Sequence, residues 1–281
     1  MDITTHEHSS ALGTWSHCEC EPSRLRGLVE KLWHFEGKTS LLRERSFPKV
    51  YSEIILHLGP RFRDVSDCGT SLDFFPTTCF GGPTTTPSVI EAPDETCCVI
   101  GIQLTPAGAF QLLRTTPTST LNSTIDAADS LAPDAKFLAE ACYAEPSVAQ
   151  RFELICNWIT RQIATSIPMH DAVWWAATEI GNSFGTCSIA RLQDATALSK
   201  TRFVSLFREQ VGVAPKLYAR ILRFRRSLLL LQQGHRLSDA ALSAGYYDQA
   251  HMHRDFAEFA QRTPLEFVTA TRFPNSLSIP E

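Results

Sequence analysis

No stretch of this 281-residue chain reaches the roughly 18 uninterrupted apolar residues of a membrane-spanning helix, so no membrane partner is expected. The opening MDITTHEHSSALGTW lacks both the basic start and the apolar core of a signal peptide, and the expected location is the cytoplasm. Neither GxSxG nor GxxxxGK occurs, and no nucleophile–base set replaces them, so the chain does not read as an enzyme. His17, Cys18 and Cys20 make a C-x-C with a neighbouring His, but no second C-x-x-C or H-x3-H completes a tetrahedral set. No metal or other cofactor is therefore expected. The nine cysteines are an odd number, cannot all pair within one chain, and read as thiols. Cys97 and Cys98, adjacent on an apolar strand, read as packing with one side chain on each face.

What is present is an ordinary globular composition, 43% apolar and 20% charged, in a chain comfortable for two domains. The net charge of -4 hides an asymmetry. From Asp171 onward there are 13 Lys and Arg against 10 Asp and Glu, and before it 13 against 20. A small basic excess says little by itself, because phosphate binding depends on where the cations sit.

The basic half also carries a repeat. SIARLQDATALSKTRFVSLFREQVGVAP ends at Pro215, and LSDAALSAGYYDQAHMHRDFAEFAQRTP ends at Pro264. Phe203 and Met252, Phe207 and Phe256, and the two prolines stand 49 apart. Ile189 and Leu237, Leu192 and Ala240, and Ala197 and Gly245 stand 48 apart, so the second turn holds one extra residue. Each copy predicts a short helix, a tight turn and a second helix of about three turns, the helix-turn-helix layout. Ser199 and Asp248 stand where an N-cap is needed, and the apolar residues four apart share one buried face.

At these residues the segment resembles the DNA-binding domain of the AraC/XylS family of transcriptional regulators. That family joins two helix-turn-helix units by one long helix, here about 216–233, with Pro215, Tyr218, Arg223 and Leu230-Leu231 at its marker positions. Gly245, Tyr246 and Phe256 match its second signature. The resemblance implies double-stranded DNA and RNA polymerase as partners, and a structural ion pair for Arg223 rather than DNA contact. Gln261 departs from the pattern, since the family has a glycine there and a left-handed conformation is costly for other residues.

Before the repeat the chain changes character. Residues 1–20 are polar and expected to be loose. LVEKLWHFEG, ERSFPKVYSEIILHLGP, LDFFPTTCFGGPTTTPSVIEAP and CCVIGIQLTP read as strands with turn signals between them, a β-barrel or sandwich. Helices are expected in AGAFQLLRTT, at 131–143 and at 147–164. Ser166-Ile167-Pro168 marks a break. The expected plan is a β-barrel or sandwich with appended helices over 21–166, an all-α DNA-binding domain over 170–272 and a tail over 273–281. WHFEG, FPKVYSEIILHLG and GIQLTPAGAF are similar to the cupin-like sensor half of some AraC-type regulators, which implies effector binding or a homodimer.

Recognition helices read base edges with exposed N-terminal positions. In the first unit these are Lys200, Thr201, Arg202, Val204, Ser205 and Arg208. Val204 suits a thymine methyl, Thr201 and Ser205 a single hydrogen bond, and Arg202 and Arg208 phosphate. In the second unit they are Gln249, Ala250, His251, His253 and Arg254. Gln249 suits adenine and Arg254 suits guanine as bidentate partners.

In the strand FPKVYSEIILHLG, Val50, Ser52, Ile54, Leu56 and Leu58 form the better core face. The opposite face offers Tyr51, Glu53 and His57, which with Trp33 and Phe35 are the expected lining of a small-molecule pocket. The expected function is thus a sequence-specific regulator answering a small-molecule effector. The alternative is a thiol- or metal-responsive regulator using N-terminal Cys and His.

Overall fold

The computed structural model describes residues 1–66, 68–270 and 277–281. Its N-terminal half is built on two antiparallel sheets, a β sandwich with helices. The strands are β1 (Thr4–Ser10), β2 (Gly13–Cys20), β3 (Val29–Thr39), β4 (Arg43–Ser46), β5 (Ser52–His57), β6 (Arg63–Val65), β7 (Ser71–Phe74), β8 (Thr78–Gly81), β9 (Ser88–Glu91), β10 (Cys97–Leu104), β11 (Thr124–Asp126) and β12 (Ile279–Pro280). The seven-stranded sheet runs β1-β2-β3-β10-β5-β8-β11, and the five-stranded sheet runs β12-β4-β9-β6-β7.

Alternation decides how the large sheet is used. Val50, Ser52, Ile54, Leu56 and Leu58 are all buried, as the pattern predicts. Ile54, Leu56 and Leu58 pack with Leu32, Ile100, Ile102, Leu104 and Phe80 under the N-terminal helices, while Val50 joins the core of the C-terminal half. Those helices are α1 (Pro106–Leu112), α2 (Ala127–Ser130), α3 (Leu138–Ala144) and α4 (Val148–Ile163). The stripe of α4 lies on the sheet through Phe152, Ile155 and Ile159, each fully buried. Burial at this level stabilises by roughly 1.5–3 kcal/mol per side chain.

Three expectations need correction. Residues 4–10 and 13–20 are not loose but form β1 and β2. Their eleven Thr, Ser, His and Glu side chains hide a hairpin that buries only Trp15, Cys18 and Cys20. The helix expected over 131–143 begins instead as a 3-10 turn, Pro133–Phe137, because a proline disfavours helical backbone at the residue before it, and Ala132 is extended at φ -155° and ψ 143°. The expected tail lies partly outside the described residues, but Ile279–Pro280 pairs antiparallel with β4.

The C-terminal half is helical: α5 (Asp171–Asn182), α6 (Ile189–Ala195), α7 (Lys200–Val211), α8 (Pro215–Gln232), α9 (Leu237–Ser243), α10 (Gln249–Phe259) and α11 (Pro264–Thr269). The helix α8 touches α5, α7, α9 and α10, and so joins the α6–α7 and α9–α10 units. Its core is aromatic: Phe203, Phe207, Phe224, Phe256, Phe259 and Phe267 are buried together. Phe47, from the turn between β4 and β5, enters the same core, edge-on to Phe224 and Phe267 at ring separations of 6.1 and 5.8 Å.

Candidate nucleic-acid interface and sensor face

Both units begin their second helix as the sequence predicts. The Ser199 hydroxyl accepts from the Arg202 amide at 3.3 Å, and the Asp248 carboxylate accepts from the His251 amide at 2.7 Å. Each cap satisfies one otherwise free donor and leaves the N-terminal turn open to solvent. Phe203 and Phe207 on α7, and Met252 and Phe256 on α10, point into the core. Helical geometry then forces the intervening positions outward.

Nine of the eleven expected DNA-facing residues lie on these outward faces. Lys200, Thr201, Arg202, Ser205, Arg208, Gln249, Ala250, His253 and Arg254 are exposed, and Val204 and His251 are half-buried. Val204 leans on the core, and the His251 ring stands edge-on to Tyr246 at 5.1 Å. His253 and Arg254 also line a shallow groove with Ala257, Gln261, Arg262, Thr263 and Glu266.

One residue escaped the sequence reading. Tyr247 is 92% exposed and immediately precedes the Asp248 cap. It is the extra residue of the second turn: Leu198 of the first copy corresponds to buried Tyr246, which leaves Tyr247 with no place in the core. The change of repeat offset from 48 to 49 was the available signal.

The arginines of α8 are all engaged internally. Arg220 bonds Asp255 and Glu258, each at 2.7 Å, and Asp255 is nearly inaccessible. Arg223, expected to make the structural ion pair, instead lies over the Tyr246 ring at 5.7 Å. One turn of helix explains the exchange, because Arg220 is the α8 position that reaches the carboxylates of α10. Arg226 lies over Phe184 at 4.4 Å. Arg225 turns to the N-terminal half, donating to the Pro48 carbonyl and the Tyr51 hydroxyl at 3.3 Å each.

The five residues expected to line a pocket do not converge. The Trp33 ring lies across Gly101 of β10, so close that a Cβ there would fall 1.9 Å from the ring. Its indole donates to Glu53 at 3.4 Å, and Lys49 pairs with the same carboxylate. Phe35 faces Trp15 at 6.0 Å. Tyr51 is drawn to Arg225, 5.1 Å from its ring. His57 is buried, with Nδ1 donating to the Pro76 carbonyl, and burial lowers its pKa. Trp33 and Glu53 thus meet, while Tyr51 and His57 serve neighbouring elements.

The cysteine expectations divide in the same way. Cys97 and Cys98 do point to opposite faces, Cys97 toward the Gly37 carbonyl and Cys98 toward His34. His17 alternates with Cys18 and Cys20 along β2 and stacks on Trp33, so these three do not share a face. Burial pushes the thiols of Cys20, Cys97 and Cys142 up to about 11.

Residues 192–270 match the family model described as helix-turn-helix domain, and residues 19–126 match one described as a domain of unknown function, DUF6597. The uncharacterized HTH-type transcriptional regulator YbfI of Bacillus subtilis (strain 168) is 25% identical over 107 residues, 38% of this chain. The match spans about a third of that relative's length, 32%. Among solved structures, ToxT from Vibrio cholerae overlaps 95% of this chain and 98% of its own with a TM-score of 0.48 at 12% identity. Unsaturated fatty acid bound wild-type ToxT from the same species overlaps 81% of this chain and 91% of its own, with a TM-score of 0.45 at 12% identity. Residues 192–270 of this chain form a helix-turn-helix domain.

Proposed function

We propose that this chain is a sequence-specific regulator of transcription that binds double-stranded DNA through α7 and α10. The observation that carries the reading is the pair of N-capped second helices, each with an aromatic-anchored inner face and a polar outer one. In this reading Gln249 and Arg254 read bases, Val204 meets a thymine methyl, Thr201 and Ser205 add single hydrogen bonds, and Lys200, Arg202 and Arg208 hold phosphate. Tyr247 joins them as a contact at the mouth of α10. Residues 170–272 carry recognition and 21–166 carry the signal of a small-molecule effector. RNA polymerase and a second copy of the chain are the further partners of this reading.

The test is in vitro selection of a preferred duplex with the full chain, followed by two substitutions. Arg254→Ala should weaken binding to the selected site by about 1–3 kcal/mol and relax preference at one base position. Arg208→Ala should weaken selected and random DNA alike and flatten the salt dependence. Uniform losses from both would overturn the division into base readers and phosphate contacts. Failure to enrich any sequence would overturn the function.

A further inference from the structure

The face of the large sheet that lies under α4 is mostly apolar, with His34 its one buried imidazole among the described residues. There His34 is 1% exposed, and its Nδ1 has no hydrogen-bond partner among the described residues. A buried polar atom left unsatisfied costs about 1–3 kcal/mol, which an aliphatic side chain at this position would avoid. The imidazole has a neighbourhood of donor atoms. Register places Glu36 opposite Cys98 across β3 and β10, with His34 one pleat away on the same face. His34 Nε2 lies 3.3 Å from Cys98 Sγ and 3.9 Å from a Glu36 carboxylate oxygen. All three ligand atoms lie within 4.8 Å of one another.

The shortest of these separations suits a common cation, and the exposed Glu36 carboxylate is free to close the longer ones. Zinc bonds of roughly 2.0–2.3 Å to nitrogen, oxygen and sulfur in a tetrahedron put neighbouring ligand atoms about 3.3–3.6 Å apart. The donor set of thiolate, imidazole and carboxylate is one that zinc accepts. The buried His34 fixes one vertex, while exposed Glu36 leaves the outer side open to solvent. We infer that His34, Glu36 and Cys98 form a binding site for a divalent zinc-class ion, independent of the DNA-reading helices.

Arg151 of α4 now holds the entrance. Its Nη1 lies 2.9 Å from His34 Nε2 and 3.7 Å from Cys98 Sγ, while its Nε donates to the Glu145 carbonyl. Guanidinium only donates, so the Nε2 atom facing it carries its lone pair outward, as a ligand must. Metal entry displaces Nη1, and Cys98 loses its thiol proton to solvent as the sulfur–metal bond forms. No electron is transferred. Two anions then balance the two charges of the ion, which leaves Arg151 an uncompensated neighbour. Its removal should tighten binding.

The experiment is titration of the reduced, chelator-treated full chain with zinc against a chromogenic chelator, with cobalt as a spectroscopic probe. The wild-type chain should bind one ion at this site and give a thiolate-to-cobalt charge-transfer band. Cys98→Ser and His34→Gln should abolish that band and weaken zinc by about 100-fold or more, with Glu36→Gln weaker by about 10-fold. Arg151→Met should bind more tightly than wild type, a gain that misfolding does not produce. Wild-type affinity no greater than that of Cys98→Ser, or an Arg151→Met chain that binds no tighter, overturns the site and leaves Arg151 as a plain partner of His34.

Discussion

Gln261 stands in the left-handed region at φ 54°, 49 residues after Gly212, which ends the first recognition helix at φ 96°. The two residues end equivalent helices, and only one is the type that this conformation favours. Left-handed backbone costs a non-glycine residue about 1–2 kcal/mol, partly offset by the extra freedom glycine has when unfolded. Gln261→Gly should therefore raise stability by up to about 1 kcal/mol in a denaturant melt. The converse, Gly212→Ala, should lower it by at least about 1 kcal/mol, since its Cβ would also lie 3.2 Å from the Pro117 carbonyl oxygen. Opposite signs at matched positions are what the repeat predicts; a destabilised Gln261→Gly would show that the Gln261 side chain contributes more than its backbone costs. The departure at Gln261 is visible in the sequence because the repeat supplies its own standard of comparison. Tyr247 was as visible in principle, but a single inserted residue does not say which of two adjacent tyrosines turns outward. Burial of Tyr246 answers that only in three dimensions.

At the scale of elements, α8 is fastened to α10 by a charge pair of unequal burial. Arg220 is about one-third exposed, Asp255 is almost fully enclosed and Glu258 is largely exposed. Removing the guanidinium strands a buried carboxylate, whereas removing the outer carboxylate leaves the inner pair intact. Arg220→Met should cost about 2–3 kcal/mol and Glu258→Gln less than about 1 kcal/mol, read from chemical denaturation. Equal costs would mean that Asp255 finds another partner. The helix-turn-helix elements are legible in the sequence because buried residues recur at fixed offsets, Phe203 with Met252 and Phe207 with Phe256. The strands β1 and β2 are not, because an edge hairpin with few buried side chains lacks the apolar alternation that announces a strand. The expected pocket failed for a related reason. Alternation assigns Tyr51, Glu53 and His57 to one face, but it does not show that Arg225 draws Tyr51 away or that the Pro76 carbonyl holds His57. The His34–Glu36–Cys98 cluster depends on the β3–β10 register, which no local pattern encodes.

At the scale of the whole molecule, the two halves share a core. Phe47 sits among Phe224 and Phe267, α1 and the 3-10 turn Pro117–Thr120 pack on α7, and Arg225 reaches Tyr51. The N-terminal half therefore touches α8 and α7 together. From Tyr51 the contacts continue through Lys49 and Glu53 to Trp33. Calorimetry of the full chain should show one cooperative transition. Phe47→Ala, which removes the plug between the halves, should cost about 3–5 kcal/mol and separate the transition into two. A wild-type chain that already melts in two steps would contradict the shared core.

The central claim is that α7 and α10 read DNA as a pair. Its most direct test is hydroxyl-radical footprinting of the full chain on a selected duplex. Two tandem helices in successive major grooves predict two protected patches about one helical turn apart, on one face of the DNA and in a fixed order. Replacing Gln249 and Arg254 together by alanine should erase one patch and leave the other. A single protected patch, unchanged by those substitutions in α10, would contradict the account.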